Sequence, residues 1–235
     1  MVSNKIERSV PKKRHHFFGV SVLVLAICAM SWPFAVAEPQ KPVQKSVKEE
    51  ALPAPGTYKI DPAHSFAYFS AWHHLVGRVR GRFDKVTGTF TVLPDPAACS
   101  VDVTIDVSTI STQISERDKD LLGDAYFDVK KFLTMTYQGR GIHRVSSDLW
   151  QMDGSLTMHG VTKVVPLTFK FNGTFSDTEP NKPARVAFHG TAGLKRAAFD
   201  MGARDNSSEV GDSTVPDVDI EIDVEADANP STPPQ

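Results

Sequence analysis

Apolar and polar residues alternate with a period of two along most of this chain. Val101, Val103, Ile105 and Val107 are separated by Asp102, Thr104 and Asp106. Val165, Leu167, Phe169 and Phe171 are separated by Pro166, Thr168 and Lys170, and Val218, Ile220, Ile222 and Val224 by Asp219, Glu221 and Asp223. Successive side chains leave a strand on opposite sides, so each run predicts a β-strand with one apolar and one wetted face. Thr87-Gly88, Pro94-Asp95-Pro96, Asp153-Gly154, His159-Gly160 and Asn172-Gly173 supply turns between the runs. About eight strands at this spacing predict an all-β barrel or sandwich. Ser65–His73 departs from simple alternation: Phe66, Tyr68 and Trp72 face one way, and Ala67, Phe69 and Ala71 the other. Both faces of that strand need cover, for example barrel lumen on one side and a helix or ligand on the other. The acids of the last strand keep its outer face from pairing with another chain. One segment, Ser115–Leu122, predicts a short helix, with a serine cap at its start and Gly123 at its exit.

The two ends read differently. Met1–His16 carries Lys5, Arg8, Lys12, Lys13 and Arg14 against Glu7, an apolar run follows from Phe17 to Met30, and Ala35-Val36-Ala37 precedes Glu38. This is the pattern of a secretory signal peptide cleaved after Ala37, and it predicts a periplasmic protein. The apolar run is short for a membrane anchor. Ile27 before Cys28 is bulky for a lipoprotein site. Residues 38–55, with Pro39, Pro42, Pro53 and Pro55, predict a disordered tether, residues 56–226 one domain, and residues 227–235 a disordered tail.

Cleavage changes the charge. Five of 26 basic and one of 28 acidic residues leave with the signal, so the remainder carries a net −6. That argues against a nucleic-acid partner and against adhesion to anionic lipid by charge alone. Cys99 is then the one remaining cysteine and reads as a small apolar residue at a strand start, so stability has to come from a core.

Catalytic and metal motifs are missing from the sequence. There is no GxSxG elbow, no phosphate-cradling glycine loop, no HExxH and no spaced cysteine pair. Asp61, His64 and Ser65 stand too close together along one strand to form a catalytic triad. His64, His73 and His74 show no metal-ligand spacing, so neither a catalytic nor a metal site is expected.

Three ordered segments resemble one family. Asp61-Pro62-Ala63-His64-Ser65 runs through Phe69 and His73 to Val79-Arg80-Gly81-Arg82-Phe83. Ser108-Thr109-Ile110, Arg117-Asp118 and Phe127-Asp128-Val129 follow, and then Gly154–Lys163. Together they resemble the YceI-like family of exported, lipocalin-like polyisoprenoid-binding proteins. The sequence departs from that family's pattern at Asp120, Leu133, Trp72, His74 and Arg196–Gly202. The resemblance implies an extended eight-stranded antiparallel barrel with one short helix. Its lumen would hold the prenyl chain of a quinone or related amphiphile non-covalently, with no other cofactor.

Under that resemblance the candidate binding residues are His64, Phe69, Trp72, His73, Phe83, Arg117, Phe127, Phe132, Phe169 and Phe171. The histidines would offer hydrogen bonds to a head group. The aromatics would line the tube or form its core. Arg117 and Asp118 also fit a structural role at the helix start, with Asp118 facing the dipole and Arg117 tied to a carboxylate. A fatty acid or fatty amide carrier, a lipid-modifying enzyme using His64 and His73, and an interaction module with a filled core are the alternatives. Transient membrane contact and a homodimer stay open.

Overall fold

The computed structural model describes residues 52–73, 76–176, 182–201 and 218–228. The predicted signal peptide, the predicted tether up to residue 51, the predicted tail from residue 229, His74 and Gly202 lie outside the described residues.

Twelve strands and one helix follow in chain order: β1 (Gly56–Ile60), β2 (Phe66–His73), β3 (Gly77–Phe83), β4 (Val86–Val92), β5 (Ser100–Asp106), β6 (Ile110–Ser111), α1 (Ser115–Leu122), β7 (Thr134–Arg140), β8 (His143–Arg144), β9 (Trp150–Met158), β10 (Val161–Phe175), β11 (Arg185–Leu194) and β12 (Val218–Ala228). β1 and β2 are two arms of one bent strand and pair with β4 and β3, the arms of the next. The order then runs β4-β5-β7-β9-β10-β11-β12, and β12 pairs with β1 through Tyr58↔Ala228 and Ile60↔Ala226. Every pairing is antiparallel, and the β12–β1 pair closes the sheet into the eight-stranded barrel that the family resemblance implies, where periodicity alone left barrel and sandwich open. Closure removes the sheet edges that would otherwise recruit another chain.

The alternation sorts the two faces. On β12, Val218 and Ala226 are buried while Asp219 and Glu221 are exposed. The turn between β9 and β10 is a two-residue hairpin with His159 at φ 52° and Gly160 at φ 77°, the left-handed pair that matches strand twist. The strand extends two residues beyond the predicted domain boundary at 226: Asp227 and Ala228 lie in the ladder opposite Lys59 and Tyr58. The predicted tether is ordered at its end as well. Pro53 is buried, Leu52 packs on the core, and the Tyr58 hydroxyl donates to the Ala54 carbonyl at 2.7 Å.

Several expectations need correction. Thr87-Gly88, Asp153-Gly154 and Asn172-Gly173 lie inside β4, β9 and β10 rather than in turns between strands, and Gly173 marks a bulge in the β10–β11 ladder. The outer face of β2 is covered by arginines of β3 rather than by a helix. The guanidinium of Arg78 lies 4.2 Å from the Trp72 ring centre, and that of Arg82 lies 5.0 Å from Phe66. Arginine can spread over an apolar ring while keeping its charge in water, which covers this face without a second layer. The helix, in turn, begins with Ser115 inside it. Ile114 occupies the cap position and gives no side-chain bond.

The bend between β1 and β2 explains the Asp61–Ser65 motif. Asp61 accepts from the Ala63 N–H at 2.9 Å and binds His64 Nδ1 at 2.8 Å and Arg185 at 3.0 Å. Arg185 also reaches Glu225 and Asp227, which ties the bend to β11 and β12. Ser65 is fully buried, and its hydroxyl exchanges bonds with the backbone of Glu225.

The His64 hydrogen bond, the Ala63 N–H and the Arg185 charge hold the Asp61 carboxyl below its ordinary range. A carboxylate with a depressed folded-state pKa contributes stability that is present above its unfolded value and lost as pH falls through the folded one. Thermal melts should therefore show a stability decrement in wild type below about pH 4. Asp61→Asn should show a smaller acid-dependent loss, and equal acid profiles for the two proteins would remove this account of the motif.

Candidate functional site: the barrel lumen

The inward faces of the strands enclose a cavity of about 200 Å³ whose wall is almost entirely apolar. Phe83 and Ile105 contribute to it, as do Met135, Met152, Met158 and Ile220. Methionine is unbranched and polarizable, so three of them give the wall room to adjust to a guest. Leu52, Cys99 and Ile142 line it toward the end where the chain enters β1. At the other end Phe199, 1 % exposed, lies under the β9–β10 turn, and its carbonyl is 3.0 Å from His159 Nδ1. Phe132 packs edge-on against the same imidazole.

Tyr137 brings a hydroxyl to this apolar wall, and that group is fully engaged. Its Oη lies 3.1 Å from the Met152 carbonyl and 3.0 Å from that of Val165, and it accepts from the Gly154 N–H at 3.0 Å. Burial pushes the phenol up to about 12. Tyr137 is therefore a neutral rivet across β7, β9 and β10. Gly154 leaves the space for its ring, because a methyl group there would overlap the ring carbons and the hydroxyl.

The structure divides the predicted residues into groups. Phe83 and Phe169 stand in the lumen wall. Phe127 packs edge-on against Phe83 with centroids 5.5 Å apart, and Phe69 lies 5.8 Å from it, so both back the wall. Phe171 packs on Phe188, itself a lining residue. Phe132 packs with His159 and Phe199 at the β9–β10 turn, outside the lining. Trp72 and His73 lie on the exposed part of β2, away from the lining. The His64 ring is 55 % exposed and bound to Asp61.

Arg117 meets Thr112 rather than a carboxylate. It donates to the threonine hydroxyl and carbonyl, both at 2.8 Å, while Asp118 accepts from the Thr112 N–H and hydroxyl. This pair holds α1 to the chain leaving β6. Asp128 shapes the next turn at φ 43° and pairs with Lys131 at 2.7 Å. Met135, Tyr137, Met152, Leu156 and Met158 are lining residues the sequence reading passed over. Extending the alternation through Met152, Gly154, Leu156 and Met158 would have found the three on β9.

The YceI-like domain pattern matches residues 58–226. The chain belongs to the YceI-like family. Among its relatives are a UPF0312 protein of Yersinia pestis (strain Pestoides F), 33 % identical over 147 residues and covering 61 % of this chain and 75 % of that protein, and one of Pseudomonas aeruginosa (strain LESB58), 34 % identical over 145 residues with coverages of 60 % and 74 %. This YceI-like barrel is also similar in fold to solved structures. Campylobacter jejuni YCEI superposes with a TM-score of 0.57 at 24 % identity, over 67 % of this chain and 90 % of that one. Burkholderia cenocepacia BcnA gives 0.56 at 21 % over 72 % and 99 %. A polyisoprenoid binding domain from Saccharophagus degradans gives 0.55 at 17 % over 73 % and 98 %.

Proposed function

We propose that the barrel holds the hydrocarbon tail of a polyisoprenoid amphiphile, an isoprenoid quinone or a similar prenyl lipid, and carries or sequesters it in the periplasm after export through the Met1–Ala37 signal. The observation behind this reading is the apolar wall around the lumen. An apolar cavity of about 150 Å³ stays dry and accepts benzene. A lumen of about 200 Å³ therefore takes a slim stretch of chain, and a longer stretch needs the lining methionines to swing aside. Each methylene moved from water gains about 0.8 kcal/mol, so a five-carbon isoprene unit contributes up to about 4 kcal/mol before ordering costs.

The Tyr137 proton is committed to backbone carbonyls and cannot be donated to a guest, so the tail governs affinity and the head group stays at a rim. The aromatics Phe83 and Phe169, backed by Phe69, Phe127 and Phe171, serve the tail. His64 and His73 stand apart from the lining, which weighs against a lipid-modifying enzyme built on them.

Solvent extraction of the purified full-length protein, followed by mass spectrometry, tests the reading. A prenyl lipid near one per protein is the expected result. A stoichiometric fatty acid or fatty amide would replace the prenyl assignment. A protein that emerges empty and takes up no added prenyl quinone would overturn it.

A further inference from the structure

The outer wall carries a second constellation, unconnected with the lumen. We propose that His189, Glu221 and Asp223 bind a first-row divalent metal ion of the zinc type. Strand register assembles the three groups. His189 on β11 stands directly opposite Asp223 on β12, and Glu221 lies two residues before Asp223 on the same outward face. One ligand atom from each side chain falls within 4.8 Å of the others.

The charges around them are unevenly matched. β12 turns five carboxylates outward: Asp219, Glu221, Asp223, Glu225 and Asp227. Asp219 pairs with Arg78, and Glu225 and Asp227 share Arg185. Asp223 pairs with His189 alone, and Glu221 has no cationic partner in an ion pair among the described residues. Lys170 stands across from His189 on β10. A surface His–Asp pair engages two of the three groups and leaves Glu221 to water. A bound cation engages all three.

The donor set fits the chemistry. One imidazole nitrogen with two carboxylate oxygens suits zinc and its neighbours, whereas magnesium and calcium prefer all-oxygen shells. Ligands about 2.0–2.2 Å from an ion stand about 3–4 Å from one another. His189 Nδ1 and Asp223 Oδ1, now hydrogen-bonded at 2.9 Å, need to part only slightly to become neighbouring ligands of one ion. Glu221 is exposed, so a swing on the order of 1 Å closes the triad. Glu221 and Asp223 also border an outer groove of about 750 Å³ together with Tyr68 and Thr191, which leaves room for water on the open coordination positions. The sequence held no sign of this site, because His189 and Glu221 come together only through the β11–β12 ladder.

Isothermal titration of the untagged full-length protein with zinc chloride decides the matter. Wild type should show one site that magnesium does not fill. His189→Ala and Glu221→Gln should each weaken it at least about tenfold, the scale reached when even an outer-shell partner of a metal is lost. Asp219→Asn removes the same charge from the same stripe outside the triad, and it should leave affinity within about threefold. Binding unchanged in His189→Ala, or weakened as much by Asp219→Asn as by Glu221→Gln, overturns the site in favour of general charge attraction. All three side chains face outward from the barrel, and circular dichroism confirms that each variant is folded.

Discussion

Gly154→Ala should destabilise this barrel by about 3 kcal/mol, the upper end for an overpacked core. For a domain of this size that lowers the melting midpoint by about 6–12 °C. The reason is the rigidity of the neighbour. A methyl group at 154 overlaps the Tyr137 ring, which is held by bonds to Met152, Val165 and Gly154 itself and cannot rotate without orphaning them. Gly139 provides the internal control. A methyl there overlaps the sulfur end of Met152, a flexible chain that can turn into the cavity. Gly139→Ala should cost about 1 kcal/mol, or about 2–4 °C. Melts followed by circular dichroism separate the two cases, and equal losses would show that Tyr137 is not the fixed element supposed here.

The same contrast shows what the sequence could and could not reveal. Period-two alternation was enough to orient β5, β10 and β12, because burial of one face is decided residue by residue. Gly154 was visible as part of a motif, but its purpose depends on a tyrosine from β7 reaching across β9, and no local pattern encodes that. The Asp61–Ser65 motif invited a head-group role for His64. The partner that explains it, Arg185, lies far along the chain and arrives through the β11–β12 ladder. The two-faced apolar strand at β2 was recognised as needing cover, yet the cover came from the arginines of β3. Charged residues are read as wet, and the apolar stem and flat head of arginine escape that reading. The aromatics divided in the same way. Phe169 stood on the alternating apolar face of β10, Phe83 was named only through the family resemblance, and Phe132 lies in a connection between elements where no period fixes its direction.

Filling the lumen should separate binding from stability. Ala192 on β11 lines the cavity, and a phenyl group there occupies the space a lipid tail would need. Ala192→Phe should reduce co-purified or added prenyl lipid by more than about tenfold, a loss equivalent to roughly 1.4 kcal/mol or more. The fold should survive, because the ring enters a void rather than a packed core. Cavity filling commonly adds about 0.5–2 kcal/mol, so the melting midpoint should hold or rise. Thr191→Phe places the same ring one residue away on the outer face and should leave lipid content unchanged. If Ala192→Phe fails to fold, Val103→Phe on the far side of the lumen repeats the test. A chain inside the barrel competes with these rings for the same volume, so affinity and stability must move in opposite directions. Lipid retained in full by a folded, ring-filled barrel would place the ligand somewhere other than the lumen.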